Sequence, residues 1–287
     1  QDILYRKADI LKIIGIVAEF NPLHNGHKYL LDCAHKHGDI VISVISSNFV
    51  QRGEPSIISK FQRAKTAVLC GADICVELPT PWSMSTAQNF AFGAISQLAK
   101  FNINTLMFGS ESGNLDALLK VCNAIETESY NNKIKDNINN GLTYAKLRQN
   151  ILTEILGDVS DILKGPNDTL AIEYILAAKK LGLNIDFIPI KRVGSNHNDE
   201  SENKGYSTST LLRKALKTQN YKYLSEYMPK EALDIYLDSN YSDIENLNIA
   251  IMSKLKLQNL SDFRKTPDIS EGIENRLYDT CKICTNY

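Results

Sequence analysis

Five short, almost wholly apolar runs, spaced by amphipathic stretches, constrain the fold of this 287-residue chain more than any other feature. They are IIGIVAEF (13–20), IVISVIS (40–46), ICVELP (74–79), TLMFG (105–109) and DFIPI (186–190). Each is strand-length and lacks polar/apolar alternation, the pattern of a strand buried on both faces of a parallel sheet. Between them lie helical patterns over about 26–37, 59–70, 87–101, 114–126, 142–156 and 168–181. In the last, Asn167 or Asp168 can cap the start, Leu170, Ile172, Tyr174, Ile175 and Ala178 supply an apolar face, and Gly182 stops the helix. This alternation predicts an α/β fold, a Rossmann-like doubly wound parallel sheet, over 13–217. After about residue 218 the strand patterns cease, and YKYLSEYM, EALDIYL, NLNIAIMSKL and NRLYDTCKIC predict an appended α-helical region over 218–287. The polar segment SNHNDESENKGY (195–206) reads as a surface loop, placed where a lid over a site would lie.

No window approaches the roughly 18 uninterrupted apolar residues of a membrane helix, and the start, QDILYRKADILK, lacks a secretory pattern, so a cytoplasmic protein is expected. Thirty-two basic against 33 acidic residues give a net charge of −1, which excludes a global attraction to nucleic acid and leaves only a local basic patch. Six cysteines (33, 70, 75, 122, 281, 284) sit mostly in apolar runs, as reduced thiols do. Cys281 and Cys284 form a lone C-x-x-C without a second pair or a nearby histidine, which favours structural thiols over zinc; no protein-built metal site is expected.

The turn NPLHNGH falls between the first strand and the helix HKYLLDCAHKH, at the carboxyl end of a parallel strand, where open α/β sheets bind ligands. Free N–H groups at the helix start, with the positive end of the dipole behind them, make an anion site. His24 and His27 add side-chain donors to the same mouth, and with an ordinary pKa near 6.5 each is available as neutral ring or cation. Pro22 fixes the approach, and Gly26 permits either a close approach or a positive φ. The arrangement suits a polyphosphate. No G-x-x-x-x-G-K-[ST] occurs, so a P-loop enzyme is disfavoured.

GIVAEFNPLHNGH resembles the H-x-G-H signature of the nucleotidyltransferase superfamily, and STSTLLRKAL (207–216) is similar to its S-x-T-x-x-R motif. The segments at 47–79, 88–113, 165–181 and 269–277 further resemble the bacterial tRNA(Met) cytidine acetate ligase family, in family order over most of the chain. The resemblance implies that ATP and acetate are used to acetylate the N4 amine of the wobble cytidine of elongator tRNA(Met), with His24 and His27 in the catalytic role. It implies ATP contacts from Val17, Ala18, Glu19, Phe20, Asn21, Pro22, Leu23, His24, Asn25, Gly26, His27, Lys28, Tyr29 and Leu30. Further contacts are implied for Gly109, Asn167 and Arg192, and phosphate contacts for Ser207 and Arg213, with magnesium bound through the phosphates. Two departures stand out: the family's Asn-Asn pair is Asn167-Asp168 here, and the family's basic helical tail does not follow Tyr287. A shortened chain that forms acetyl-adenylate without passing acetyl to RNA is therefore expected, with 218–287 as part of a tRNA-binding region.

Acetate is already an anion, so attack on the α-phosphorus needs no protein nucleophile. Glu19 and Glu111 lie near strand ends, each either a base or a structural hydrogen-bond partner. Lys60, Arg63 and Lys65, with Gln51 and Arg52 before them, are candidates for RNA phosphates, or else a solvated helix face. Two other readings share the motifs: a small-molecule adenylyltransferase, and a nucleotide- or RNA-binding module without turnover.

Overall fold

The computed structural model describes residues 11–138, 140–192, 206–266, 269 and 272–285. The apolar runs become β1 (Ile13–Ala18), β2 (Ile40–Ser46), β3 (Ile74–Leu78), β4 (Thr105–Ser110) and β5 (Asp186–Lys191). They form a parallel sheet in the order β3-β2-β1-β4-β5. Ile13 pairs with Ile40, Ile14 with Thr105, Ile42 with Ile74, and Thr105 with Asp186. The chain winds outward from β1 to β3 and then crosses back to β4, which puts the topological switch point between β1 and β4. The first apolar run leaves the sheet two residues early, and Glu19 and Phe20 belong to the turn that follows. Burial on both faces holds for β1, β2 and β4, whereas β3 and β5 are largely half-buried. An edge strand has a neighbour on one side only, so its apolar residues are covered less completely.

The helices are α1 (Asn25–His37), α2 (Lys60–Leu69), α3 (Thr80–Ser83), α4 (Ala87–Ala99), α5 (Leu115–Ile125), α6 (Glu128–Asn137), α7 (Tyr144–Leu156) and α8 (Pro166–Lys180). One core holds Val17, Ile42, Val44, Leu106 and Phe108 of the sheet with Phe90, Ile95, Ile172 and Ile175 of α4 and α8. Ile14, Ile16, Val41, Ile45 and Met107 are also buried and, having the opposite parity, face the other side of the sheet, as the two-residue period of a strand requires. The sequence pattern does not predict α6: in ESYNNKIKDN only Tyr130 is buried, so the helix has no apolar stripe to reveal it.

The first compact unit runs to Asn240 and the second spans Tyr241–Tyr287. The boundary expected at 217/218 thus falls inside the first unit. The reason is burial: α9 (Ser209–Lys217), α10 (Tyr221–Tyr227) and α11 (Lys230–Leu237) bury Leu212, Leu216, Leu224, Met228, Ala232 and Tyr236. In the second unit α12 (Asn248–Leu257), α13 (Leu260–Arg264) and α14 (Ile273–Ile283) bury Met252, Phe263 and Cys281. Cys281 lies on α14 and Cys284 caps its end, and all six cysteines are free thiols. Among the described residues no helix is long and apolar enough to cross a membrane. The expected lid at 195–206 lies outside the described residues except for Tyr206.

Candidate functional site

The turn from β1 into α1 lies at the switch point, and His24 is its pivot. His24 is the N-cap of α1: its Nδ1 accepts from the Gly26 N–H at 3.1 Å. His27 reciprocates, its Nδ1 accepting from the His24 N–H at 3.4 Å. This is a capping box built from two histidines, satisfying donors that a helix start leaves unpaired. An Nδ1 that accepts carries no proton, so the hydrogen bonds place the remaining proton of each ring on Nε2. The rings stack with centroids 3.8 Å apart, and Phe20 packs perpendicular to His27 with centroids 5.2 Å apart.

Burial and the nearby Arg192 guanidinium lower the His24 pKa to about 3, and only 3% of the residue is exposed. Burial, then His24 and Arg192, lower His27 in the same direction, against a smaller opposing effect of the Pro22 backbone. Both rings are therefore neutral near pH 7, which removes the cationic alternative left open by the sequence. Gly26 is not in the positive-φ region. Its role is close approach: an added Cβ would lie 3.0 Å from His24 Cε1 and 3.1 Å from Nδ1.

The opposite wall comes from β4, β5 and α8. Arg192, just beyond β5, lies across Gly109 and donates from Nη1 to Asn167 Oδ1 at 3.3 Å. Neither Asn167 nor Asp168 caps α8, contrary to the sequence expectation. Glu111 does so from the end of β4, its carboxylate accepting from the N–H groups of Asn167 at 3.1 Å and Asp168 at 2.8 Å. Gly165 makes room for it, since a Cβ there would meet Glu111 Oε2 at 2.7 Å. Asp168 points away into the protein and accepts from Ser110 Oγ and from the Ser112 N–H, which leaves Asn167 as the carboxamide facing the cleft.

The third side is α9. Thr208 is its N-cap, accepting from the Leu211 N–H at 3.3 Å. Arg213 donates from Nη1 to the Asn21 carbonyl at 2.9 Å, so it is tied to the turn and is no solvated helix residue. Together these walls enclose a cleft of about 1280 Å³, counted out to its open mouth, with His24, His27, Asn167, Arg192 and Arg213 on its lining. A smaller recess of about 470 Å³ opens beside it, shared by His24, His27, Leu30 and Arg192 and reaching Tyr29, Gly109 and Tyr206.

A family model described as HIGH nucleotidyl transferase matches residues 11–287. The tRNA(Met) cytidine acetate ligase of Thermosipho africanus is 36% identical over 96% of this chain and 68% of that protein. Those of Caldanaerobacter subterraneus and Clostridium kluyveri are 34% and 35% identical, each over 96% of this chain, and over 71% and 72% of their own lengths. The chain belongs to the tRNA(Met) cytidine acetate ligase family. Its fold matches the crystal structure of Thermotoga maritima TmcAL bound with alpha-thio ATP, at a TM-score of 0.88 and 30% identity, over 96% of this chain and 68% of that one. The apo form of the same protein matches at 0.90 and 31%, over 96% and 69%.

Of the residues implied by the ligase-family resemblance, Val17, Ala18, Glu19, Phe20, Asn21 and Leu30 line the main cleft with the two histidines. Gly26, Tyr29 and Gly109 line the smaller recess. Pro22 and Leu23 are buried behind the turn. Asn25 donates to the Glu226 carbonyl at 3.0 Å, and Lys28 pairs with Asp32. Ser207 is not on the cleft; its hydroxyl bonds Tyr223 at 2.7 Å, and Ser209 and Thr210 line the cleft instead. Counting three back from Arg213 in the S-x-T-x-x-R spacing reaches Thr210, so the spacing held that information.

Glu19 and Glu111 both serve as hydrogen-bond partners. Glu19 accepts from the Gln51 N–H at 2.9 Å, and this bond sets the 50–54 turn at the lip, where Gln51 and Arg52 line the cleft. Of the three helix cations proposed to meet RNA, Arg63 is 0% exposed and donates to the carbonyls of Glu19, Ser46 and Ser47. Lys60 pairs with Glu77 at 2.7 Å, and Lys65 is exposed. Arg63 shares helical spacing with buried Thr66, Ala67 and Cys70, a signal that it points inward.

Proposed function

We propose that this chain activates acetate with ATP and passes the acetyl group to the N4 amine of the wobble cytidine of elongator tRNA(Met); the family match over all of 11–287 supports transfer in place of the expectation, drawn from the sequence, of a chain that stops at acetyl-adenylate. The observation that carries the reading is the pair of stacked, neutral histidines at the start of α1, faced by Arg192 and Arg213, in a chain of this family. Acetate oxygen attacks the α-phosphorus; the bond to the bridging oxygen of the β-phosphate breaks, and acetyl-adenylate and pyrophosphate result. The cytidine amine then attacks the acetyl carbonyl, AMP departs, and the amine loses one proton.

Negative charge grows on the departing pyrophosphate, and Nε2–H of each imidazole donates to it together with the amides of α1. Donors aimed at charge that develops during reaction stabilise the transition state more than the bound substrate. Arg213 and Arg192 supply the positive charge that neutral imidazoles do not, and a guanidinium fork suits phosphate oxygens. Asn167, held by Glu111 and Arg192, meets the nucleoside from the opposite wall. Magnesium, when bound, draws charge from the phosphates; the carboxylates of Glu19, Glu111 and Asp168 are already engaged by N–H or hydroxyl donors, which favours a metal held through ATP. Of the 218–287 region expected to bind tRNA, residues 218–240 belong to the first unit, so RNA binding is assigned to 241–287, and the reaction to the cytoplasm, where tRNA is modified.

The test supplies radiolabelled acetate, ATP and tRNA. Label in cytidine that His27→Ala lowers about 100-fold or more, the typical loss for one such donor, is the expected result. Pyrophosphate release without labelled RNA supports adenylation alone, and nucleotide binding without either product defeats the proposal.

A further inference from the structure

Three consecutive carbonyls of the β1–α1 turn are each held by a side chain from a distant helix. Arg63 of α2 donates to Glu19 O at 2.6 Å, Tyr236 of α11 donates its hydroxyl to Phe20 O at 2.7 Å, and Arg213 of α9 donates to Asn21 O at 2.9 Å. The middle residue is the exceptional one. Phe20 has φ +47°, a left-handed conformation that an aromatic residue seldom adopts unless its surroundings enforce it. Its ring packs perpendicular to that of His27, and His27 in turn stacks on His24. Tyr236 and Phe20 are both fully buried, so no water substitutes for the hydroxyl.

We infer that Tyr236 is a positioning residue for the histidine pair: its hydroxyl, with Arg63 on the preceding carbonyl, holds Phe20 in the left-handed conformation that sets the His27 ring. Helix α11 thereby takes part in shaping the histidine mouth. The inference rests on the proposed reading that the two histidines serve the triphosphate, but the geometry it claims is measurable without any ATP.

Tyr236→Phe removes one oxygen and keeps the ring. The first readout is the ¹⁵N spectrum of the imidazoles without nucleotide. Wild type is expected to show both Nδ1 atoms as acceptors, and the variant to lose the His27 signature. The second is acetate-dependent ATP–pyrophosphate exchange, in which kcat is expected to fall at least tenfold while KM for ATP changes less than threefold. Val121→Ala, which opens a space in the buried core under α5 away from the cleft lining, is the control: it lowers thermal stability but leaves imidazole signals and KM as they were. Should Tyr236→Phe not unfold cooperatively, Arg63→Lys, which keeps one donor at Glu19 O, is expected to give the same signature at smaller size. Unchanged imidazole signals, or a loss of exchange no greater than the unfolded fraction accounts for, overturns the inference. If the imidazole signals change but His27→Ala exchanges normally, positioning stands and the proposed reading of the site fails.

Discussion

A histidine that caps its own helix has given up the freedom to titrate. His24 accepts from Gly26 and His27 from His24, so protonating either Nδ1 sets two N–H groups against each other, while burial adds to the penalty for charge. Neither ring is expected to titrate between pH 5.5 and 8, which ¹⁵N or ¹³C imidazole shifts check directly. The same displacement bears on stability. The folded pKa lies below the unfolded value of 6.5, so the contribution is complete above pH 6.5 and is lost as pH falls from there toward 3. The loss approaches about 1.4 kcal/mol per pH unit for His24, and His27 adds to it in the same direction; urea midpoints from pH 7 to 5 measure it. Gly26→Ala separates geometry from stability. Alanine gains about 0.5–1 kcal/mol of helix propensity, and displacing the His24 cap costs about 0.5–2 kcal/mol, so the melting temperature changes by no more than about 5 °C. The ring, however, must yield to a Cβ at 3.0 Å, and adenylation is expected to fall tenfold or more. The sequence alone shows both histidines and the glycine, because they are adjacent. It does not show the protonation state, which depends on how deeply the folded chain buries the turn.

At the scale of elements, local periodicity predicts the strands and long helices well. Its failures share a cause: the deciding partner lies far away in sequence. Helix α8 begins at Pro166 with no side-chain cap from its own N-cap residue Gly165, and Glu111, more than fifty residues earlier, supplies both acceptors. Asn167 and Asp168 carry good capping side chains, so the local pattern favours them; in the fold Asp168 bonds Ser110 and Ser112 instead. Likewise the cations of α2 look like one solvated group in sequence, yet Arg63 turns inward to three carbonyls while Lys65 stays exposed. The α8 assignment has a direct consequence. Glu111→Ala leaves two N–H groups at the positive end of a helix dipole without an acceptor, a loss of about 1–2 kcal/mol, read from the denaturation midpoint. Because Asn167 Nδ2 also donates to Glu111 at 2.5 Å, KM for ATP is expected to rise several-fold in the same variant. A stability loss without a change in KM would place Asn167 outside the nucleotide contacts.

For the molecule as a whole, the end of the strand pattern and the end of the compact unit are different things. Strand-like runs stop after β5, which suggests a boundary at 217/218, but a boundary is set by which side chains are buried together, and local patterns do not record that. Leu224, Ala232 and Tyr236 are 0% exposed, α11 packs on α2, and the Tyr236 hydroxyl reaches the Phe20 carbonyl. A chain ended at Lys217 therefore leaves the apolar side of α9 uncovered, with Leu212 and Leu216 fully buried in the intact fold, and leaves the Phe20 carbonyl buried without its donor. Burying a side chain of leucine size is worth about 1.5–3 kcal/mol and an unmet buried carbonyl costs about 1–3 kcal/mol. The sum rivals the roughly 5–15 kcal/mol that holds a domain together, so residues 11–217 are expected to aggregate or unfold non-cooperatively. Residues 11–240 keep all of these contacts and are expected to unfold in one transition and to retain acetate-dependent ATP–pyrophosphate exchange. Acetyl transfer to tRNA should fall in that shorter chain if the 241–287 unit carries RNA contacts. Circular dichroism on both fragments, with exchange and transfer assayed in parallel, distinguishes a helical region that completes the catalytic unit from one that merely follows it.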